Sequence, residues 1–358
     1  MPFTFSMKDT YRHSVEAASG GKQTVLYDNK GIPSVMNIIP MLTYKDVGLG
    51  ASTAPLPAFA RSDKNLNEIF IGTFQACVHD NRAYSLPGQD PKVYVDHDQA
   101  VAFARNKGAG WHVVTNAEYA AIALWCKKNG YYPRGNNNYG CDISAPHEKG
   151  RVTYRYGENN ATIGRVATGS GPVAWTHDGT PCGIYDLNGN VWEWSTGLRT
   201  VNGEIQIFDV NNASLDNADF TNGSTQWRAV LQNGQLVNPG TAGTLKIQPS
   251  GTDSGTITFV TEVTKQTTDA TSMGNQFKDT AVGSGITIPD ILKALAIFPS
   301  DTSDHGNDYY YARNNGERLF FRGGHWNHST NAGVFFLNGN HPRTFSTYDV
   351  GFRVAFAE

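Results

Sequence analysis

The chain has 358 residues, enough for one large domain with a sizeable core. Only 17% of it is charged, with 29 Lys and Arg against 32 Asp and Glu, so it has neither the basic stripe of a nucleic-acid binder nor the polybasic patch of a protein held on an anionic membrane. No apolar run reaches the ~20 residues of a membrane span, and 38 Gly among abundant Asn, Thr and Ser predict many turns on a modest amount of regular structure.

The opening MPFTFSMKDTYRHSVEA lacks the basic stretch and apolar run of an export signal. TVLYD and SVMNIIPMLTY, split by Gly and Pro, make residues 1 to about 60 a β-rich segment packed on a main domain that spans 61–358. Glu68–Val78 alternates as a strand does. Two helices follow. Asp96 with Gln99, and Thr115 with Glu118, are capping-box pairs in which each side chain satisfies the other residue's free backbone amide. Gly108 and Gly130 stop them, and Tyr119, Ile122, Ala123 and Cys126 mark the apolar face of the second. Tyr131–Asp142 is a polar, turn-rich loop. A turn at Asp186–Asn190 leads into Val191, Trp192, Glu193 and Trp194, an alternating strand whose tryptophans belong in a core. Residues 200 to about 285, rich in Asn, Thr, Gly and Ser, predict an insertion of edge or hairpin strands. Ile288–Pro299 is a short helix opened by Pro289. Strands and two main helices in a loop-rich chain predict an α+β fold with several short antiparallel sheets.

Cys77, Cys126, Cys141 and Cys182 are widely spaced and form no C-x-x-C pair, which predicts four reduced, mostly buried thiols and leaves a disulfide open.

The run Arg322–Phe356 interleaves two kinds of residue. Gly323, Gly324, Trp326, Ala332, Gly333, Val334, Phe335, Leu337, Val350, Gly351, Phe352 and Val354 have the short-period apolar pattern of packed strands and tight turns. Between them stand His325, Asn327, His328, Ser329, Phe336, Asn338, Asn340, His341, Phe345, Ser346, Thr347 and Tyr348, with Gly339, Thr344 and Asp349 as less certain members. A rigid frame displaying Tyr, Phe, His, Ser and Asn has the composition of a binding surface, since aromatics supply area at low entropy cost and small polar groups adapt. Lys, Glu, Gln and Met make up 40 of the 358 residues, yet none falls in this run. About four would be expected there by composition. Codons of the form NNC encode every displayed type and none of the four missing ones.

Gly110–Tyr119, Gly183–Trp194, Arg322–Trp326 and Gly351–Arg353 together resemble the formylglycine-generating-enzyme (sulfatase-modifying-factor) domain, across roughly residues 65–358 with the insertion allowed for. That resemblance implies an elaborated C-type lectin fold. The terminal run is similar to that of the variable proteins of diversity-generating retroelements, in which adenine-directed mutagenesis rewrites the ligand-binding face. The resemblance implies a non-enzymatic, phage- or prophage-encoded binder whose variable residues are the twelve firm members named above. It implies a cell-surface protein or glycan as partner, with oligomerisation open. A virion tail, the cytoplasm before assembly, or a cell surface reached by another route is the implied location. The enzymes of the family use a pair of cysteines near the GFR motif, whereas no cysteine follows Cys182 here, and Asn, His and Ser cannot replace a thiolate.

Other readings stand beside this one. An enzyme with altered chemistry, a fixed Ca²⁺-dependent lectin and a structural tail component are the rivals, although the EPN- and QPD-like triplets of calcium lectins are absent. His325, His328 and His341 could hold a metal, but nothing fixes convergent geometry and adaptable ligand contacts are preferred. Asp186, Asn188 and Asn190 alternate as in a Ca²⁺ loop, where a plain turn is the competing role and Ca²⁺ as a structural ion stays open. Arg322 and Arg353 are expected to be held by carbonyls or carboxylates, and Arg343 is ambiguous.

Overall fold

A computed structural model describes residues 9–358; the first eight residues, which begin the stretch inspected for an export signal, lie outside it. Helices α1 (Thr10–Ser19), α2 (His97–Arg105), α3 (Asn116–Lys128) and α4 (Asp290–Ala294) stand among many short strands. Both capping boxes form as expected: Asp96 and Thr115 accept from the amides of Gln99 and Glu118, whose side chains accept in return from the cap amides. Helix α1 is a difference from the β pieces expected before residue 60. Its residues are largely polar, so no apolar period betrays it. Among the described residues no helix is long and apolar enough to cross a membrane.

Two sheets organise the molecule. The smaller runs Gln23–Tyr27, Pro33–Pro40, Glu68–Gly72, Val354–Phe356, Trp111–Val113, every neighbour antiparallel. Its pairing crosses residue 61, because Met36 faces Gly72 and Pro40 faces Glu68. The larger sheet has twelve strands, with Gly333–His341, Glu317–Gly323 and Trp192–Val201 side by side near its middle. The strands between 204 and 282 extend that same sheet, entering it through Glu204–Phe208 beside Trp192–Val201.

Helix α3 packs against both Trp192–Val201 and Gly333–His341 and shares one core with Ile69 and Ile71 of the smaller sheet. Cover on several sides explains why ten of its thirteen residues are buried, beyond the single face expected. Trp192 and Trp194 are buried, as expected, and so are Val191 and Glu193 between them. A strand covered on both faces loses the inside–outside alternation that its sequence suggests.

Candidate ligand-binding face

The terminal run is built on strand Gly333–His341, which lies between Glu317–Gly323 (Arg322 opposite Leu337) and Tyr309–Ala312 (Tyr310 opposite Leu337). All twelve frame residues named above are buried. Gly323 and Gly324 turn the chain at φ +87 and +84, and a Cβ on Gly324 would sit 2.7 Å from that of Ala332. The arginines serve the frame. Arg322 donates to Asn116 Oδ1 (2.6 Å) and to the Leu295 and Ala296 carbonyls (3.1 Å each), and Arg353 donates to Glu193 and to the Gly72 and Tyr185 carbonyls. Arg343 ties Glu317, Asp98 and the Phe220 carbonyl together, which also makes it structural.

Of the displayed set, Asn327, Ser346 and Tyr348 are exposed, while His328, Ser329, Asn340, His341, Phe345 and Thr347 are partly so. His325, Phe336 and Asn338 are buried, which corrects the expectation that they stand in solvent. Phe336 and Asn338 lie on the central strand, where both faces are covered, and the Phe336 ring packs on Trp192 at 4.5 Å. Asn338 turns its Oδ1 to the Asn340 amide (3.0 Å). Thr344 is exposed and Asp349 half-buried, whereas Gly339 is closed off by the Phe320 ring.

The ring-bearing members form one connected network. Tyr348 contacts Trp326, which contacts His325; His325 and His328 meet at 4.1 Å and both lie on Trp192. From Trp192 the contacts run to Phe336 and, through Phe321, to His341 and Phe345, which stack at 3.6 Å. Trp192 is thus the floor on which both halves rest. The loops are pinned by main-chain bonds: the amide of Ser329 donates to Asn137, Tyr94 to Thr347 and His97 to Arg343.

Burial holds the face electrically quiet. It lowers the pKa of His328 and His341 to about 4 and that of His325 well below its ordinary value, while pushing Asp349 up to about 6. The 3.4 Å approach of His325 Nε2 to Asp349 is therefore a contact within a poorly solvated pair, not a strong ion pair. The imidazoles divide between Trp192 and Phe345, and no group of three or more metal-ligating side chains converges among the described residues.

Several aromatic residues escaped the sequence reading. Tyr154 and Tyr156 stack at 6.3 Å, and each leans on Trp326 and on Tyr348. Arg165 lies 4.1 Å over Tyr154, pairs with Asp90 and donates to the Tyr348 carbonyl (2.8 Å). The one available signal was the Tyr-x-Tyr spacing, which places both rings on one side of an extended segment. The Asp186 triplet does not fit calcium. Asn188 Oδ1 accepts from Asn137 Nδ2 and Asn190 Oδ1 from Asn136 Nδ2 and the Val166 amide, which leaves Asp186 Oδ1 as the one side-chain oxygen of the triplet without a partner among the described residues, whereas Ca²⁺ takes about six to eight oxygens. The four thiols are unpaired, but only Cys126 is buried, contrary to the expectation for the other three, which lie at partly open edges.

No curated protein matches the chain by sequence. Solved structures similar to it include PvdO from Pseudomonas aeruginosa, at 12% identity over 94% of this chain and 98% of that one, with TM-score 0.37. Treponema denticola variable protein 1 follows, at 13% identity over 93% and 98% with TM-score 0.36. The Major Tropism Determinant U1 variant is 10% identical over 93% of this chain and 71% of its own, with TM-score 0.32. The sulfatase-modifying factor enzyme 1-like domain model matches residues 56–241. The chain belongs to that family, and its α+β, loop-rich architecture is the family's C-type lectin-like fold.

Proposed function

We propose that the terminal run is an exchangeable, non-enzymatic ligand-binding face of the kind that retroelements diversify, encoded by a phage or prophage and aimed at a protein or glycan on a target cell. The observation that carries this reading is the difference in burial between the two kinds of residue in the run. Nine of its twelve displayed residues are exposed or partly so, while all twelve residues of its frame are buried. Exchange at Asn327, Thr344 or Ser346, which are exposed, costs little for substitutions of this type. Phe345 and Tyr348 supply the aromatic area; the buried Phe336 packs on Trp192 and Tyr311 instead. The chemistry of the family's enzymes has no thiol pair to use, since the last cysteine is Cys182.

The DNA beside the gene tests the origin. A near-identical repeat differing at adenines, next to a reverse transcriptase, is expected; its absence would remove diversification from the proposal. A display library varied at Asn327, Ser346, Thr347 and Tyr348 tests the face. Members should stay folded and separate by the cells they bind, and a library with uniform cell binding would count against the proposal.

A further inference from the structure

Far along the chain from the terminal run, strand Pro33–Pro40 and helix α3 enclose a cavity of ≈ 300 Å³. Ile38, Leu42, Ile122 and Trp125 give it apolar walls, and none of its lining residues belongs to the face described above. That volume is at the lower end of small-molecule sites, which are largely apolar with a few placed polar groups.

One such group is His177, a residue 8% exposed whose ring lies 5.3 Å from that of Trp125. Its Nδ1 accepts from the Ile184 amide at 2.8 Å, so the neutral ring carries its proton on Nε2. Burial lowers its pKa to about 4, which keeps the ring neutral near pH 7. Nε2 has no hydrogen-bond partner among the described residues but keeps some contact with solvent, and His177 forms part of the cavity wall. An acceptor entering the cavity would take the place of the solvent that now meets this donor. At the rim, Lys22 and Asp178 pair at 3.3 Å with the Lys22 side chain 55% exposed, so the opposite charges offset each other and the cavity carries no net charge.

We propose that this cavity is a binding site for a small, uncharged, compact apolar molecule bearing one hydrogen-bond acceptor, which meets Nε2–H of His177. This does not rest on the reading of the terminal face, and cell binding by that face is measured separately.

The test uses the full chain and three rigid probes of one shape: camphor, with a single carbonyl; camphane, which lacks it; and camphor-10-sulfonate, which is charged. The ring ¹⁵N resonances of His177 are followed by NMR during titration. Camphor should shift the Nε2 signal saturably, with camphane and the sulfonate each at least about tenfold weaker. Leu42→Trp, which narrows the cavity from its partly open side, should abolish the camphor shift while the spectrum elsewhere remains that of the folded chain. Ile38→Phe serves the same purpose should the first variant fail to fold. The proposal is overturned if camphor gives no saturable shift, if camphane or the sulfonate binds as well, or if the folded cavity variant still binds.

Discussion

Glu193 and Arg353 meet in a two-pronged ion pair inside the protein, Oε1 to Nη2 at 2.7 Å and Oε2 to Nε at 2.9 Å, with both side chains almost wholly shielded from water. Glu193 comes from the central strand of the large sheet, and Arg353 stands between the short strands Val350–Phe352 and Val354–Phe356. Removing one partner strands the other charge in the interior, which costs about 3–5 kcal/mol. Arg353→Ala should lose about that much stability by urea unfolding, and Glu193→Gln should lose stability as well. A loss below about 1 kcal/mol for Arg353→Ala would show that water reaches the pair.

The terminal run should separate into two mutational classes. Asn327→Ala, Thr344→Ala and Ser346→Ala should each leave stability within about 0.5 kcal/mol of the parent. Phe336→Ala empties a packed site against Trp192 and should cost about 3–5 kcal/mol. Chemical denaturation of the four variants checks this, and equal costs across them would dissolve the distinction between display and frame.

Lys107 gives stability a rising slope with alkaline pH. Its ammonium is buried 3.0 Å from Ser34 Oγ and lies over the Tyr84 and Trp111 rings. Burial pulls its pKa from 10.5 to about 7, against the opposing pull of Asp28. Between those values the unfolded chain holds a proton that the folded one has shed, so this group's penalty is full below pH 7 and is relieved as pH climbs toward 10.5. The Tm of the parent should therefore gain on that of Lys107→Met between about pH 7 and pH 9.5. Parallel Tm curves would mean that the two rings keep the ammonium charged.

Asp186 should act in the acid range. Burial raises its pKa from 3.8 to about 6, so the folded chain keeps a proton there that the unfolded chain releases. Its contribution falls as pH rises through that window. Asp186→Asn should accordingly gain stability relative to the parent on going from about pH 4 to pH 6.5. Calcium, added or chelated with EDTA, should leave the Tm of both unchanged; a calcium-dependent rise confined to the parent would restore the ion-binding role of the turn.

What could be read from the sequence follows the range of the forces involved. Capping at Asp96 and Thr115 is a matter of three residues, and both helices start where those pairs say. The restricted residue menu and the Gly-Trp frame are equally local, so the terminal run declared itself. Phe336 did not. It is the same residue type as Phe345, and only the two neighbouring strands, brought from 309–312 and 317–323, decide that one is buried and the other reaches the edge. The parallel pairing of Trp192–Trp194 with Val350–Phe352 joins segments more than 150 residues apart and leaves no local mark. Tyr154 and Tyr156 were hidden for the same reason, since their importance lies in Tyr348 and Trp326.

The strands Val350–Phe352 and Val354–Phe356 belong to different sheets although one residue separates them. Truncation before Val350 would therefore take a strand from each sheet at once, together with the arginine that neutralises Glu193.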